Sequence, residues 1–227
     1  MRIAVLGTGM VGRALAGRFA ELGHDVVVGT RDPAATMDRT EPDRAGTPPY
    51  REWQEQHPDV RLVPSPEAGV HAELLVNATA GTASVEALTG AGVGERPGLV
   101  VLDVANPLVF TPEGPALSIA NTDSLAETLQ RAFPRARVVK SLNTMTAQVM
   151  VDPARVPGEH VVFVAGDDAE AKATVSGLLG EMGWGDGRVV DLGGLAAARG
   201  TEGFVLLWLS IARAYGTYDL NIAVHLP

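Results

Sequence analysis

Six consecutive residues, Gly7-Thr8-Gly9-Met10-Val11-Gly12, constrain this chain more tightly than any other stretch. Their surroundings make them informative. The apolar run at 2–6 precedes them and reads as a buried strand. Residues 11–22 follow, with Leu15, Phe19 and Leu22 at helical spacing and Gly23 as a stop. Residues 25–28 supply a second strand. A GxGxxG turn that leaves a strand and opens a helix inside a β–α–β unit is a dinucleotide-binding fingerprint. Gly7 makes the tight turn, Gly9 lets the backbone approach a pyrophosphate, and Gly12 lets the helix pack on the strand. The helix N-terminus offers free N–H groups and a partial positive charge to phosphates.

The alternation resumes further along. Strands are expected at 60–63, 74–78, 99–103, 137–142, 160–165 and 188–191. Helices are expected at 65–71, 83–91, 123–132 (capped by Asp123 or Thr122), about 144–150, 168–182 and 196–215. Residues 32–59 are polar and rich in Pro and Gly; they read as a variable segment with a short helix near Tyr50 to Gln56. Repeated βα units with continuous Val/Leu strands predict an α/β fold. It is a Rossmann-type, doubly wound, mostly parallel sheet with a small C-terminal α/β lobe ending in a long apolar helix. Residues 1–145 are expected to form the dinucleotide-binding domain and 146–227 the small lobe packed on the same unit. A chain of 227 residues can bury such a core unaided.

Composition removes several function classes. The chain has no Cys, so thiolate metal sites, disulfides and a Cys nucleophile are excluded. Lys+Arg total 18 against 27 Asp+Glu, a net charge of −9 that makes a poor nucleic-acid binder. A small anionic ligand in a locally positive site remains compatible. No apolar run reads as long enough to span a bilayer, and the chain opens on a strand rather than a secretory leader, so the expected location is cytoplasmic. The five histidines, 24, 57, 71, 160 and 225, show no metal-ligand spacing, and no metal is expected. His24 reads as a structural or solvated residue rather than a base. P-loop and nucleophile-elbow motifs are absent from the sequence, as is an evident general acid. That suits hydride transfer between two cofactors, where the protein supplies orientation and excludes water.

The tip of the second strand chooses the nucleotide. A dinucleotide lacking a 2′-phosphate usually meets Asp or Glu there. Here the positions are Gly29, Thr30 and Arg31. A hydroxyl followed by a guanidinium suits a 2′-phosphate, so NADP is expected over NAD. The competing reading has Asp32 on the ribose and Arg31 solvated. Three more strand tips carry small and amide residues: Asn77-Ala78-Thr79, Asn106-Pro107-Leu108 and Asn143-Thr144-Met145. Together they could line a nicotinamide; Asn106-Pro107 taken alone reads better as a turn former. Lys140, near one of these tips, reads either as a contact to a phosphate or carboxylate or as a salt-bridged strand-end residue.

The run MRIAVLGTGMVGRALAGRFAELGHDVVVGTRDP resembles the NADPH-dependent reductases of the deazaflavin coenzyme F-420, the F-420:NADP oxidoreductase family. LVNATAG at 75–81, LDVANPL at 102–108, VVKSLNTM at 138–145, FVAGDDAEAKATV at 163–175 and VVDLGGLAAARGTEG at 189–203 extend the resemblance over nearly the whole chain except about 38–58. It implies a Rossmann domain with a small C-terminal lobe, a homodimer, and direct hydride transfer between NADP(H) and the deazaflavin. On this resemblance Gly7, Thr8, Gly9, Met10, Val11, Gly12, Thr30 and Arg31 hold NADP(H). Ala78, Thr79, Asn106, Pro107 and Asn143 complete that site, and Pro107, Leu108, Asn143, Thr144 and Met145 face the acceptor. The fold also serves the NADPH domain of ferric reductases and pyrroline-carboxylate reductases. A flavin, a quinone or a cyclic imine therefore stands as an alternative acceptor, and a non-catalytic NADP(H)-binding redox sensor as an alternative function. The apolar stretch 204–215 reads as a core helix that closes the sheet and, more sharply, as a subunit interface.

Overall fold

The valine- and leucine-rich runs pair into one eight-stranded sheet. The computed structural model describes residues 1–43, 46–185 and 187–225. Arg44 and Ala45, within the segment read as variable, and Asp186, Leu226 and Pro227, within the expected C-terminal lobe, lie outside the described residues. In chain order the sheet is built from β1 (Arg2–Leu6), β2 (Asp25–Thr30), β3 (Arg61–Pro64), β4 (Leu74–Asn77) and β5 (Val100–Asp103). It continues, after the hairpin β6 (Leu108–Thr111) and β7 (Gly114–Leu117), with β8 (Arg137–Ser141), β9 (Val162–Gly166) and β10 (Val189–Asp191). In space the order is β10-β9-β8-β5-β4-β1-β2-β3. All neighbours are parallel except β8 and β9, which pair antiparallel. The connection between those two holds α7 (Ala147–Val151) and a short 3-10 turn (Pro153–Arg155); α7 packs on α1 (Met10–Glu21) instead of crossing the sheet as a full βαβ helix does.

Alternation along each strand sorts the core into two faces. Ile3, Val5 and Val28 join the cluster under α1, α7 and α8 (Ala169–Glu181). Ala4, Leu6 and Val27 join the opposite cluster, with α4 (Ser65–His71), α5 (Ser84–Gly90) and α6 (Leu125–Ala132). Both faces are covered, which is why the strands are apolar without interruption. β1 is the switch point: the chain runs outward through β2 and β3, then returns to β4 on the other side. In open α/β sheets ligands bind outside the strand tips at such a point.

The segment at 32–59 is more ordered than its composition suggests. It holds α2 (Pro33–Asp38), not read from the sequence, and α3 (Tyr50–Gln56), as expected. Asp32 caps α2 by accepting from the Ala35 N–H at 2.9 Å, with Pro33 at the first helical position. The β6–β7 hairpin was likewise not anticipated, because Pro107 and the turn residues around Glu113-Gly114 read as loop. The cap of α6 is Ser124, not Asp123 or Thr122: its hydroxyl accepts from the Glu127 N–H at 3.1 Å. Asp123 instead accepts from the Ser124 N–H and pairs with Arg131.

The chain closes with α9 (Ala198–Tyr215). The segment Leu195–Tyr215 is long and apolar enough to cross a membrane by length and composition, which corrects the expectation that no run reaches that length. Apolar and small residues N-terminal to 204 extend the run. In this fold the segment lies against the sheet and α6, with Ala198, Glu202, Val205 and Trp208 buried.

Candidate functional site

Two clefts open along the strand tips and share Gly9, Ala78, Thr79 and Ala80 as a common wall. The first, about 330 Å³, runs from the Gly-rich turn to the end of β2. Gly7, Thr8, Gly9, Thr30 and Arg31 line it, joined by Ala78 and Thr79 across the switch point. The glycines divide the work as their positions demand. A Cβ on Gly7 would sit 2.4 Å from the Ala78 carbonyl oxygen, and Gly7 adopts φ +126°, a region L side chains avoid. A Cβ on Gly12 would sit 2.0 Å from the Gly7 carbonyl oxygen. Gly9 is different: among the described residues nothing lies within 4 Å of its Cβ position, so the space beside it is open. Gly9 is also the N-cap of α1, and no side chain among the described residues caps that helix. Its first N–H groups are left for solvent or a ligand. The open space at Gly9 and the uncapped helix fit a pyrophosphate.

At the far end, the Thr30 and Thr36 hydroxyls lie 3.0 Å apart. Arg31 projects into solvent, its guanidinium 3.6 Å from the Glu86 carboxylate across the cleft mouth. Ser65 and Glu86 also line this cleft and were not picked out from the sequence; neither belongs to the Gly-rich motif or the strand tips that were read.

The second cleft is larger, about 450 Å³. Of the expected residues, Met10, Val11, Asn106, Leu108, Asn143 and Met145 line it, along with the shared wall. Asn106 and Asn143 brace each other: Asn143 Nδ2 donates to Asn106 Oδ1 at 2.9 Å, and Asn106 Nδ2 donates to the Asn143 carbonyl at 2.8 Å. Three expected residues do not line either cleft. Gly12 lies beneath the turn against Gly7. Pro107 closes the hairpin, its carbonyl accepting from the Ser118 N–H at 2.8 Å. Thr144 is buried behind the tip.

Residues the sequence did not flag complete the second cleft. Thr47 arrives from the variable segment, Phe110 from the hairpin, and Val205 and Trp208 from α9. Phe110 is 79% exposed and stands at the rim. Arg13 is a further omission. Its Nε donates to the Thr8 carbonyl at 2.7 Å and its Nη1 to the Pro48 carbonyl at 2.7 Å, above the Tyr50 ring. It ties the Gly-rich turn to the variable segment. Burial pushes its guanidinium below the ordinary value, and burial drives the Tyr50 hydroxyl upward. A basic residue one turn inside the nucleotide helix was the available signal.

Behind the clefts lies a buried polar chain. Lys140 Nζ donates to Asp103 Oδ2 at 2.9 Å and to the Ala105 carbonyl, and sits 2.9 Å from Glu202 Oε1. Asn77 Nδ2 donates to Asp103 Oδ1 at 2.8 Å, and the Thr79 hydroxyl donates to Asn77 Oδ1 at 2.7 Å. Lys140 is thus the salt-bridged residue of the two readings. His24, in the turn after α1, lies beside Glu181 at 3.0 Å.

The family model described as NADP oxidoreductase, coenzyme F-420-dependent, matches residues 2–107. A crystal structure from Arthrobacter sp. FB24, of a protein assigned as an F-420-dependent NADP-reductase, superposes with a TM-score of 0.94 at 48% identity, covering 100% of both chains. The chain belongs to the F-420-dependent NADP oxidoreductase family. It is an NADPH-dependent oxidoreductase with a Rossmann-type fold. Metalloreductase STEAP3 of Rattus norvegicus is 30% identical over 208 residues; they make up 90% of this chain but 36% of that longer protein. An imine reductase from Aspergillus terreus, solved with NADPH, shares the fold at a TM-score of 0.59 and 20% identity, over 95% of this chain and 62% of that one.

Proposed function

We propose that this protein moves a hydride between NADP(H), held in the first cleft, and the deazaflavin coenzyme F-420, held in the second. The observation that carries the reading is the shared wall: Gly9, Ala78, Thr79 and Ala80 border both clefts, so two ligands would meet there. The 48%-identical relative, assigned as an F-420-dependent NADP-reductase, supports the acceptor.

Each residue has a role in this reading. The N–H groups at the start of α1 and the open face of Gly9 take the pyrophosphate. Thr30 and Arg31 take the 2′-phosphate, Arg31 exchanging its contact with Glu86 for the ligand. Asp32 supports that choice, because its carboxylate is engaged in capping α2. The braced pair Asn106–Asn143 and the shared wall position the nicotinamide end. NADPH bound there supplies the hydride, and no proton need move in the same step. Met10, Leu108 and Met145 shield the ring faces from water. Pro107 and Thr144 act from behind the tip, by shaping the backbone on which Asn106 and Asn143 stand.

We also read α9 as part of a homodimer face of a cytoplasmic enzyme. Leu207 and Tyr215 are 56% and 80% exposed on it. Light scattering at micromolar concentration is expected to give twice the chain mass.

The deciding experiment mixes the protein anaerobically with NADPH and oxidised F-420 and follows loss of the deazaflavin colour, with NADH and FMN as controls. Enzyme-dependent, NADPH-selective loss is the expected result. NADPH binding without any loss of colour would remove the acceptor assignment.

A further inference from the structure

Two residues that line the second cleft carry a buried polar atom without a partner among the described residues. Trp208 is nine-tenths buried, yet its Nε1–H has no hydrogen-bond partner among the described residues. The Thr47 hydroxyl, equally buried, has none either. Both residues line the same cavity, one from α9 and one from the variable segment. A buried donor without a partner is costly, and native structures satisfy nearly all of them. Trp184 shows the ordinary solution, its Nε1–H donating to the Met150 carbonyl at 3.0 Å. The Trp208 ring is also held in place: Tyr218, beyond the end of α9, lies against it with 5.7 Å between centroids. Met10, Val104, Leu108, Met145 and Val205 supply apolar wall, and the cleft's two asparagines, Asn106 and Asn143, are paired with each other.

We propose that Trp208 Nε1–H and the Thr47 hydroxyl form the polar end of the acceptor site and select a planar ring that carries a carbonyl oxygen at its edge. The inference rests on the second cleft being the acceptor site, and it narrows the chemistry of what enters. An indole N–H donates and never accepts. A ring carbonyl, as on the pyrimidine edge of flavins and deazaflavins, satisfies it. A protonated cyclic imine presents another donor and leaves the indole unpaired. Asp43, the carboxylate that lines this cleft, accepts from the Thr47 backbone N–H at 2.9 Å.

The test reads the indole directly. The chain has three tryptophans, so a ¹⁵N-labelled sample gives three side-chain N–H resonances, that of Trp208 identified by its loss in Trp208→Phe. The protein is saturated with NADP⁺ and titrated separately with oxidised F-420, FMN and 2-methylpyrroline. The Trp208 resonance is expected to move downfield with a carbonyl-bearing ring and not with the imine, while that of Trp184 stays in place. In turnover, Trp208→Phe is expected to raise KM for the acceptor roughly three- to tenfold, the span of one net hydrogen bond, with NADPH affinity unchanged. Thr47→Val is expected to do the same more weakly, which keeps the test open should Trp208→Phe fold poorly. A stationary Trp208 resonance with every ring, or a shift with the imine alone, overturns the inference even if F-420 turns over. A shift with FMN and none with F-420 keeps this inference and removes F-420 as the acceptor.

Discussion

Lys140 Nζ lies 2.9 Å from Glu202 Oε1, and both side chains are shut away from water. The contact joins β8 to the closing helix α9. Glu202 also accepts from the Leu125 and Ala126 N–H groups at 2.8 and 3.1 Å, so the start of α6 converges on it. Glu202→Ala would leave a buried ammonium with one carboxylate fewer and two amides unsatisfied. The expected loss is about 3–5 kcal/mol, read as a lower urea midpoint at unchanged slope. Glu202→Gln keeps the acceptor oxygen and is expected to lose less.

The Gly-rich turn separates folding from binding. Gly12→Val would drive a side chain into the Gly7 carbonyl and is expected to destabilise the fold by about 3 kcal/mol or more. Gly9→Val meets open space and is expected to melt within a few degrees of wild type, yet to lose NADPH binding. Thermal melts paired with NADPH titrations check both. Normal NADPH affinity in Gly9→Val would remove the pyrophosphate from that position.

Arg31→Glu is expected to weaken NADPH by roughly ten- to a hundredfold, the worth of a charge-assisted hydrogen bond, with NADH little changed. Glu86→Gln is expected to act oppositely. The carboxylate 3.6 Å from Arg31 competes with a 2′-phosphate, and its removal should tighten NADPH by roughly two- to fivefold. An equal effect on both nucleotides would place Arg31 away from the 2′-phosphate.

Acid should loosen the protein through its paired carboxylates. Hydrogen bonds from Arg199 hold Glu127 below the ordinary glutamate range, and those from Lys172 do the same for Asp191. A carboxylate whose folded value is depressed contributes stability that is complete above its unfolded value, about 4.3 for Glu. That stability is lost as pH falls through the folded value. Arg199→Gln is therefore expected to flatten the fall in stability below about pH 4.3, measured as urea midpoints across pH. An unchanged slope would mean the pair contributes nothing to stability.

Much of the site was readable as residues but not as surfaces. Gly7, Gly9, Arg31, Thr79, Asn106 and Asn143 lie along the clefts because strand tips and glycine turns are local features with local signatures. Thr144 and Pro107 stood next to such residues and were grouped with them, but they turn away from the cavity. Trp208 was read as part of an apolar helical stripe, which it is; the same spacing cannot tell a wall of the core from a wall of a cleft. Arg13 carried no motif, since its partners are backbone carbonyls, one five residues away in the Gly-rich turn and two 35 and 36 residues away in the variable segment.

The sequence alone determined the β–α alternation, the nucleotide fingerprint and the family, because periodicity, glycine and short motifs act over a few neighbouring residues. Only the tertiary structure decided that β9 runs against β8, that Lys140 is consumed by Asp103 and Glu202, and that Thr47 and Trp208 face one cavity. Those outcomes depend on which distant side chains meet once two faces of one sheet are covered, and burial makes each such meeting compulsory for any polar group caught there.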